Sequence, residues 1–86
     1  MLHYFYIARC ADGSLYVGSC HDIKEREIRH NDGKGAKYTR DRRPIMIIYS
    51  EEYLTLVEAR RRELQVKKWS RIKKENLSKG KHPTKH

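Results

Sequence analysis

Glu63 is the side chain least suited to its place in the pattern. On a helical wheel begun at Leu56 it falls inside the arc marked by Leu56, Ala59 and Val66, so a carboxylate occupies the stripe that should face a core. An ionised group there needs a partner. One candidate is Lys67, four residues on and in the favourable acid-before-base order, but such a bridge contributes only about 0.3–0.5 kcal/mol. The other is a bound divalent cation, for which a carboxylate is a natural ligand. Tyr6, Tyr16, Arg26 and His30 carry complementary chemistry: phenols and an imidazole pass protons, and a guanidinium holds an anion through a fork of N–H groups. Taken singly, each has an ordinary structural use. Tyrosine suits strands; Arg26 and His30, four apart, share one helix face, where a histidine near the C-terminal end also favours the dipole.

Bringing these groups together is the task of the elements around them. Tyr4 to Cys10 and Leu15 to Ser19 flank Ala11-Asp12-Gly13-Ser14, which predicts a β-hairpin turning at Asp-Gly. A plain two-residue turn at Asp12-Gly13 would pair Arg9 with Tyr16 and put Tyr6 and Tyr16 on opposite faces. A loop with an odd number of residues, or a bulge at Gly13, instead sends Phe5, Ile7, Leu15 and Val17 to one face and Tyr6, Tyr16 and Gly18 to the other. Asp22 with Glu25 is a capping-box variant opening a helix that runs to about Asn31, where Asp32-Gly33 ends it. Lys34 to Arg43 reads as a basic loop. Ile45 to Tyr53 reads as a third strand, apolar on both faces at first and so covered on both sides. Thr55-Leu56-Val57-Glu58 is a full capping box starting a helix to about Lys68, and Ser70 caps a last short helix to about Leu77. The expected fold is α+β: a three-stranded antiparallel sheet flanked by helices in β-β-α-β-α-α order. It forms one domain over residues 1–78, followed by a basic, disordered tail over 79–86.

With 86 residues, the chain has room for one thin core. A formal net charge of +9 makes nucleic acid the expected partner, because neutralised phosphates release condensed counterions. No apolar run approaches the roughly 18 residues that span a bilayer, and the N-terminus has no signal-peptide pattern, so a cytoplasmic protein without a membrane partner is expected. Cys10 and Cys20 are too few for a disulfide framework and lack zinc-site spacing.

Read in order, Tyr4-Phe5-Tyr6, Tyr16-Val17-Gly18, Asp22-x-x-x-Arg26-x-x-x-His30 and Ala59-x-x-x-Glu63-x-x-x-Lys67 resemble the GIY-YIG nuclease superfamily, in particular its small stand-alone prokaryotic members. The segments Cys10 to Tyr16, Gly33 to Thr39 and Lys67-Lys68-Trp69 carry the same resemblance, which extends to about Leu77. The first motif keeps only its final tyrosine, and the second exchanges isoleucine for valine.

The resemblance implies a metal-dependent endonuclease acting on DNA phosphodiester bonds, with one divalent ion, Mg²⁺ or Mn²⁺, held by Glu63. Arg26 would neutralise a non-bridging phosphate oxygen. Tyr6 assisted by His30, or else Tyr16, would orient or deprotonate the attacking water, which asks for a phenol pKa pulled below about 10 by nearby cations. Gly18 would let the backbone approach Tyr16 and the substrate. Lys34, Lys37, Arg40, Arg42, Arg43 and Lys67 would track the DNA backbone, with Tyr38 stacking on an unpaired base, which favours single-stranded or branched DNA over plain duplex. Some members carry a functional asparagine after the glutamate helix, and Asn76 lies at a similar distance. The alternative is a non-catalytic nucleic-acid binding module on the same fold. Against it, binding alone has no need for a carboxylate facing a phosphate.

Overall fold

β1 (His3–Arg9) and β2 (Leu15–Cys20) pair antiparallel, with Tyr6 opposite Gly18 and Arg9 opposite Leu15, in a computed structural model that describes residues 1–80. The connection from Cys10 to Ser14 holds an odd number of residues, as the alternation of apolar side chains requires. Gly13 takes φ +87° there, and Asp12 Oδ1 accepts from both the backbone N–H and the hydroxyl of Ser14. Two faces follow. Phe5, Ile7 and Val17 form one cluster with Val66 and Leu77, while Tyr6, Ala8, Cys10 and Cys20 form a second with Ile45, edged by Tyr16 and Ile23.

β3 (Met46–Tyr53) joins the other side of β1, giving the order β2-β1-β3. The strand covered on both faces is therefore β1, whose Phe5 to Ala8 are all buried, and not the segment from Ile45 as expected. β3 lies at an edge, and Met46 is 64% exposed. An apolar run does not distinguish a central strand from an edge whose backbone is protected by other means. Here the protection comes from α1 (Ile23–Asn31): Asn31 both accepts from Ile45 N and donates to Ile45 O, and Glu27 accepts from Ile47 N.

The helix starts fall where the capping residues put them. Asp22 accepts from Glu25 N at 3.0 Å, and α1 gives way at Asp32 to Gly33 with φ +78°. Lys34 to Arg43 is not wholly a loop. It contains a one-turn helix, α2 (Lys37–Arg40), so the element order is β-β-α-α-β-α-α. Thr55 caps α3 (Leu56–Lys67) and Ser70 caps α4 (Arg71–Ser78). The inward stripe of α3 is narrower than the wheel predicts: Ala59 and Val66 are buried, but Leu56 is largely exposed. Arg62 ties this helix to β3 through Glu51, which also accepts from the Tyr49 and Tyr53 hydroxyls. The tail expected over 79–86 lies, from residue 81 onward, outside the described residues, and Lys79 and Gly80 form the turn that closes α4.

α4 is fastened to the hairpin end by charge. Arg9 donates to both carboxylate oxygens of Glu75, at 2.9 and 2.7 Å, and Arg71 donates to Gly13 O. These hydrogen bonds, with the Arg9 charge, hold the Glu75 carboxyl down to about 2, against an ordinary 4.5. A depressed carboxyl contributes stability above its unfolded value and loses it as pH falls through its folded value. The thermal midpoint of the protein should therefore exceed that of Glu75→Gln by several degrees at neutral pH, with the gap closing between about pH 4.5 and 2. Melting curves of both proteins across that range check it, and a gap independent of pH would remove the clamp from the account.

Candidate active site

A line of hydrogen bonds runs through the second cluster. The Tyr6 hydroxyl, from the central strand, lies 2.8 Å from His30 Nε2, and His30 Nδ1 lies 2.8 Å from Thr39 Oγ1 in α2. Thr39 in turn donates to Ala36 O at 2.9 Å. All three side chains are buried, with His30 only 1% exposed. Two glycines make room for them. A Cβ on Gly18, which faces Tyr6 across the hairpin, would come within 2.6 Å of the Tyr6 hydroxyl, and a Cβ on Gly35 within 2.3 Å of His30 Nδ1. Gly18 thus makes room for the Tyr6 hydroxyl.

Burial sets the protonation of the pair. It lowers the His30 pKa below its ordinary 6.5, with the Arg26 charge acting in the same direction, so the imidazole is neutral at pH 7. Tyr6 moves opposite to expectation. Burial, then the neighbouring Tyr16, raises its pKa above the ordinary 10, and the lowering effect of Arg26 is too small to reverse this. Tyr16 is likewise raised, first by burial. A nearby cation is visible in a motif; the loss of solvent around a central strand is not.

Arg26, Ser19 and Glu63 form a second group at the β2 edge. Arg26 Nη1 donates to Ser19 O at 3.1 Å, and Ser19 Oγ donates to Glu63 Oε1 at 2.8 Å, so one residue joins α1 to α3. Lys67 Nζ also reaches Glu63, at 3.1 Å, with the carboxylate side chain 17% exposed and the lysine mostly in water. Tyr16 links the two groups. Its ring lies 6.4 Å from that of Tyr6 and 5.4 Å from that of His30, and the charges of Lys67, Glu63 and Arg26 all act on its hydroxyl. The structure brings Tyr6, Tyr16, His30 and Arg26 together on one side of β2, whereas Glu63 approaches the strand from the other side, joined to Arg26 only through Ser19 and acting on Tyr16 only through its charge.

Among the described residues no group of three or more His, Cys, Asp or Glu gathers as a metal cage. Glu63 is a hard oxygen donor beside the Ser19 hydroxyl, which suits an ion that keeps most of its own waters.

The basic segment is more ordered than a free loop. Tyr38 stacks on Tyr16 at 6.0 Å, and the Arg42 guanidinium covers its ring at 3.9 Å. Arg42 also pairs with Asp12 and donates to Tyr38 O, and Arg43 donates to Arg40 O and Asn31 O. The Tyr38 ring is thus engaged by Tyr16 and Arg42 while remaining 39% exposed. Lys34, Lys37 and Arg40 have exposed side chains without an ion pair among the described residues. Tyr38, Tyr16 and Lys67 line a cleft of about 250 Å³ with Leu15, Val17 and Lys74. Sequence reasoning missed Thr39, Gly35, Ser19 and Lys74. Gly33 to Thr39 drew notice as a segment, but nothing local shows that its threonine is buried against a histidine.

Known proteins match this arrangement along nearly its full length. The family model described as the GIY-YIG catalytic domain matches residues 2–76. A UPF0213 protein of Staphylococcus saprophyticus is 52% identical over 75 residues, covering 87% of this chain and 92% of that protein. A UPF0213 protein of Bacillus pumilus is 52% identical over 73 residues, covering 85% and 74%. The solution NMR structure of the UPF0213 protein from Bacillus halodurans has a TM-score of 0.59 at 44% identity, covering 98% of this chain and 89% of that one. That of a protein from E. faecalis has a TM-score of 0.63 at 40% identity, covering 100% and 92%. Since the matched residues include both tyrosine-bearing strands and the helices of Arg26, His30 and Glu63, the chain belongs to the GIY-YIG catalytic-domain family.

Proposed function

We propose that this protein, as a single domain over residues 1–78, is a divalent-metal-dependent endonuclease that hydrolyses DNA phosphodiester bonds. One observation carries the reading. Arg26 Nε is the only buried side-chain polar atom among the described residues without a hydrogen-bond partner. Leaving such a donor bare costs about 1–3 kcal/mol, more for a charged group, which a phosphate oxygen on the guanidinium would offset.

The remaining roles follow from position. Tyr6 accepts a proton from the attacking water as its own proton passes to His30 Nε2, 2.8 Å away. The transfer can be concerted, so a high phenol pKa in the resting protein is no obstacle. Tyr16 orients the water at the cleft, and Arg26 binds the phosphate and the charge that builds on it. Glu63 would hold Mg²⁺ or Mn²⁺, which when bound supplies charge neutralisation and support for the leaving oxygen. Lys34, Lys37, Arg40 and Lys67 lie where they can follow a DNA backbone, with Arg42 and Arg43 bracing the segment behind them. The family supports a nucleic-acid substrate, and the charge of +9 agrees with one.

Labelled single-stranded, duplex and branched DNA, incubated with protein and Mg²⁺ or Mn²⁺, should be cut, and chelator or Glu63→Ala should reduce the rate by at least about a hundredfold. Cleavage that survives either treatment refutes the mechanism. Salt-sensitive binding with no cleavage of any substrate would make the protein a binding module. A separate expectation concerns Gly18→Ala. The added methyl must displace the Tyr6 hydroxyl from His30, lowering stability by about 1–3 kcal/mol and cleavage by at least about tenfold, with DNA affinity kept. Calorimetry, cleavage rates and titration of DNA binding together check it, and wild-type rates in the variant would separate the pair from catalysis.

A further inference from the structure

His30 has two ring nitrogens and, when neutral, one proton. Which nitrogen holds it decides whether Tyr6 can give its own proton away. Thr39 bears on the matter through its backbone partner. Its hydroxyl has a single hydrogen, for which Ala36 O at 2.9 Å is an acceptor; with the hydrogen on that bond, the hydroxyl presents a lone pair to His30 Nδ1 at 2.8 Å. We propose that Thr39 is a positioning residue that holds His30 in the Nδ1–H tautomer, leaving Nε2 bare to receive the proton of Tyr6. The functional consequence rests on the nuclease reading above; the tautomer itself does not.

The opposite tautomer would disable the pair. Nε2–H would donate to the Tyr6 oxygen, and the proton of Tyr6 would have no acceptor on His30. Nδ1 would draw the Thr39 hydrogen away from Ala36 O, which would keep only its longer backbone bonds from Thr39 N and Arg40 N, at 3.2 Å each. With Nδ1–H the transfer balances. One water O–H bond breaks and its proton bonds to the Tyr6 oxygen; the Tyr6 O–H bond breaks and its proton bonds to Nε2. The hydroxide oxygen bonds to phosphorus as the P–O bond to the departing strand breaks. The leaving oxygen takes a proton from solvent, and His30 later returns one to solvent through Tyr6. Arg26, on the same helix, opposes a lasting imidazolium and so favours that return. Tyr6 and Tyr16 from the sheet and Thr39 from α2 are the other groups against the ring.

The ¹⁵N NMR signals of the His30 ring test this directly on the whole chain. At neutral pH the protein and Thr39→Ser should show a protonated Nδ1 and an unprotonated Nε2, whereas Thr39→Val, which keeps the shape without the hydroxyl, should gain the Nε2–H form. In cleavage assays Thr39→Val should lose at least about tenfold in kcat with KM little changed, and Thr39→Ser should recover most of it. An Nε2–H ring in the wild-type protein overturns the proposal, and that measurement stands even if Thr39→Val does not fold. So does Nδ1–H persisting in a folded Thr39→Val. A wild-type protein that cuts no DNA yet shows the Nδ1–H ring would sink the nuclease reading and leave the tautomer assignment in place.

Discussion

The 2.8 Å contact between Tyr6 and His30 is the interaction around which the rest of the molecule is arranged. Both are polar groups in the interior of a thin core, and each left alone would cost about 1–3 kcal/mol, so each determines where the other must be. The consequence is clearest in α1. His30 is the buried residue of that helix, Ile28 points to solvent, and Ile23 is only half-buried. An apolar stripe does not hold α1 to the sheet. His30 on Tyr6, Asn31 on Ile45, Glu27 on Ile47 and Arg26 on Ser19 do so instead, so the same polar bonds that anchor the helix deliver its functional side chains.

Placing the site at an edge strand reconciles burial with access. β1, in the middle, carries the buried Tyr6, while β2, at the edge, carries Tyr16, which is only partly buried, and Ser19, whose carbonyl and hydroxyl face opposite helices. Tyr6 and His30 sit inward, where low polarity keeps the imidazole neutral. Glu63 and Lys67 sit further out, the carboxylate still reached by solvent and the lysine mostly in water, where a charge is held without being fully desolvated.

Much of this was legible in the chain. Alternating apolar and aromatic residues at 4–7 and 15–18 required an odd hairpin loop, and that requirement alone put Tyr6, Tyr16 and Gly18 on one face. The capping residues Asp22, Thr55 and Ser70 marked three helix starts, because a short polar side chain before an amphipathic run has a local mechanism. Strand order and protonation were not legible, since both depend on what covers an element. Ile45 to Ile48 is apolar enough for a central strand but lies at an edge shielded by two side chains of α1, and the Tyr6 phenol is governed by burial more than by the arginine beside it.

The short helix α2 shows why the basic segment misled. Four residues cannot sustain a helix on propensity; this one exists because Thr39 is held between Ala36 O and His30. Once Thr39 is fixed, its neighbour Tyr38 falls on Tyr16, and Arg42 closes over it while paired with Asp12 at the hairpin turn. A segment that reads as a basic loop is thereby a wall beside Tyr16, with its aromatic ring packed on that tyrosine. The cleft left between that wall and Lys67 and Lys74 is about 250 Å³, with Tyr16 in its lining. On the nuclease reading proposed above, the sugar-phosphate backbone of a strand would lie along it, with Lys74 and Lys67 beside the phosphates.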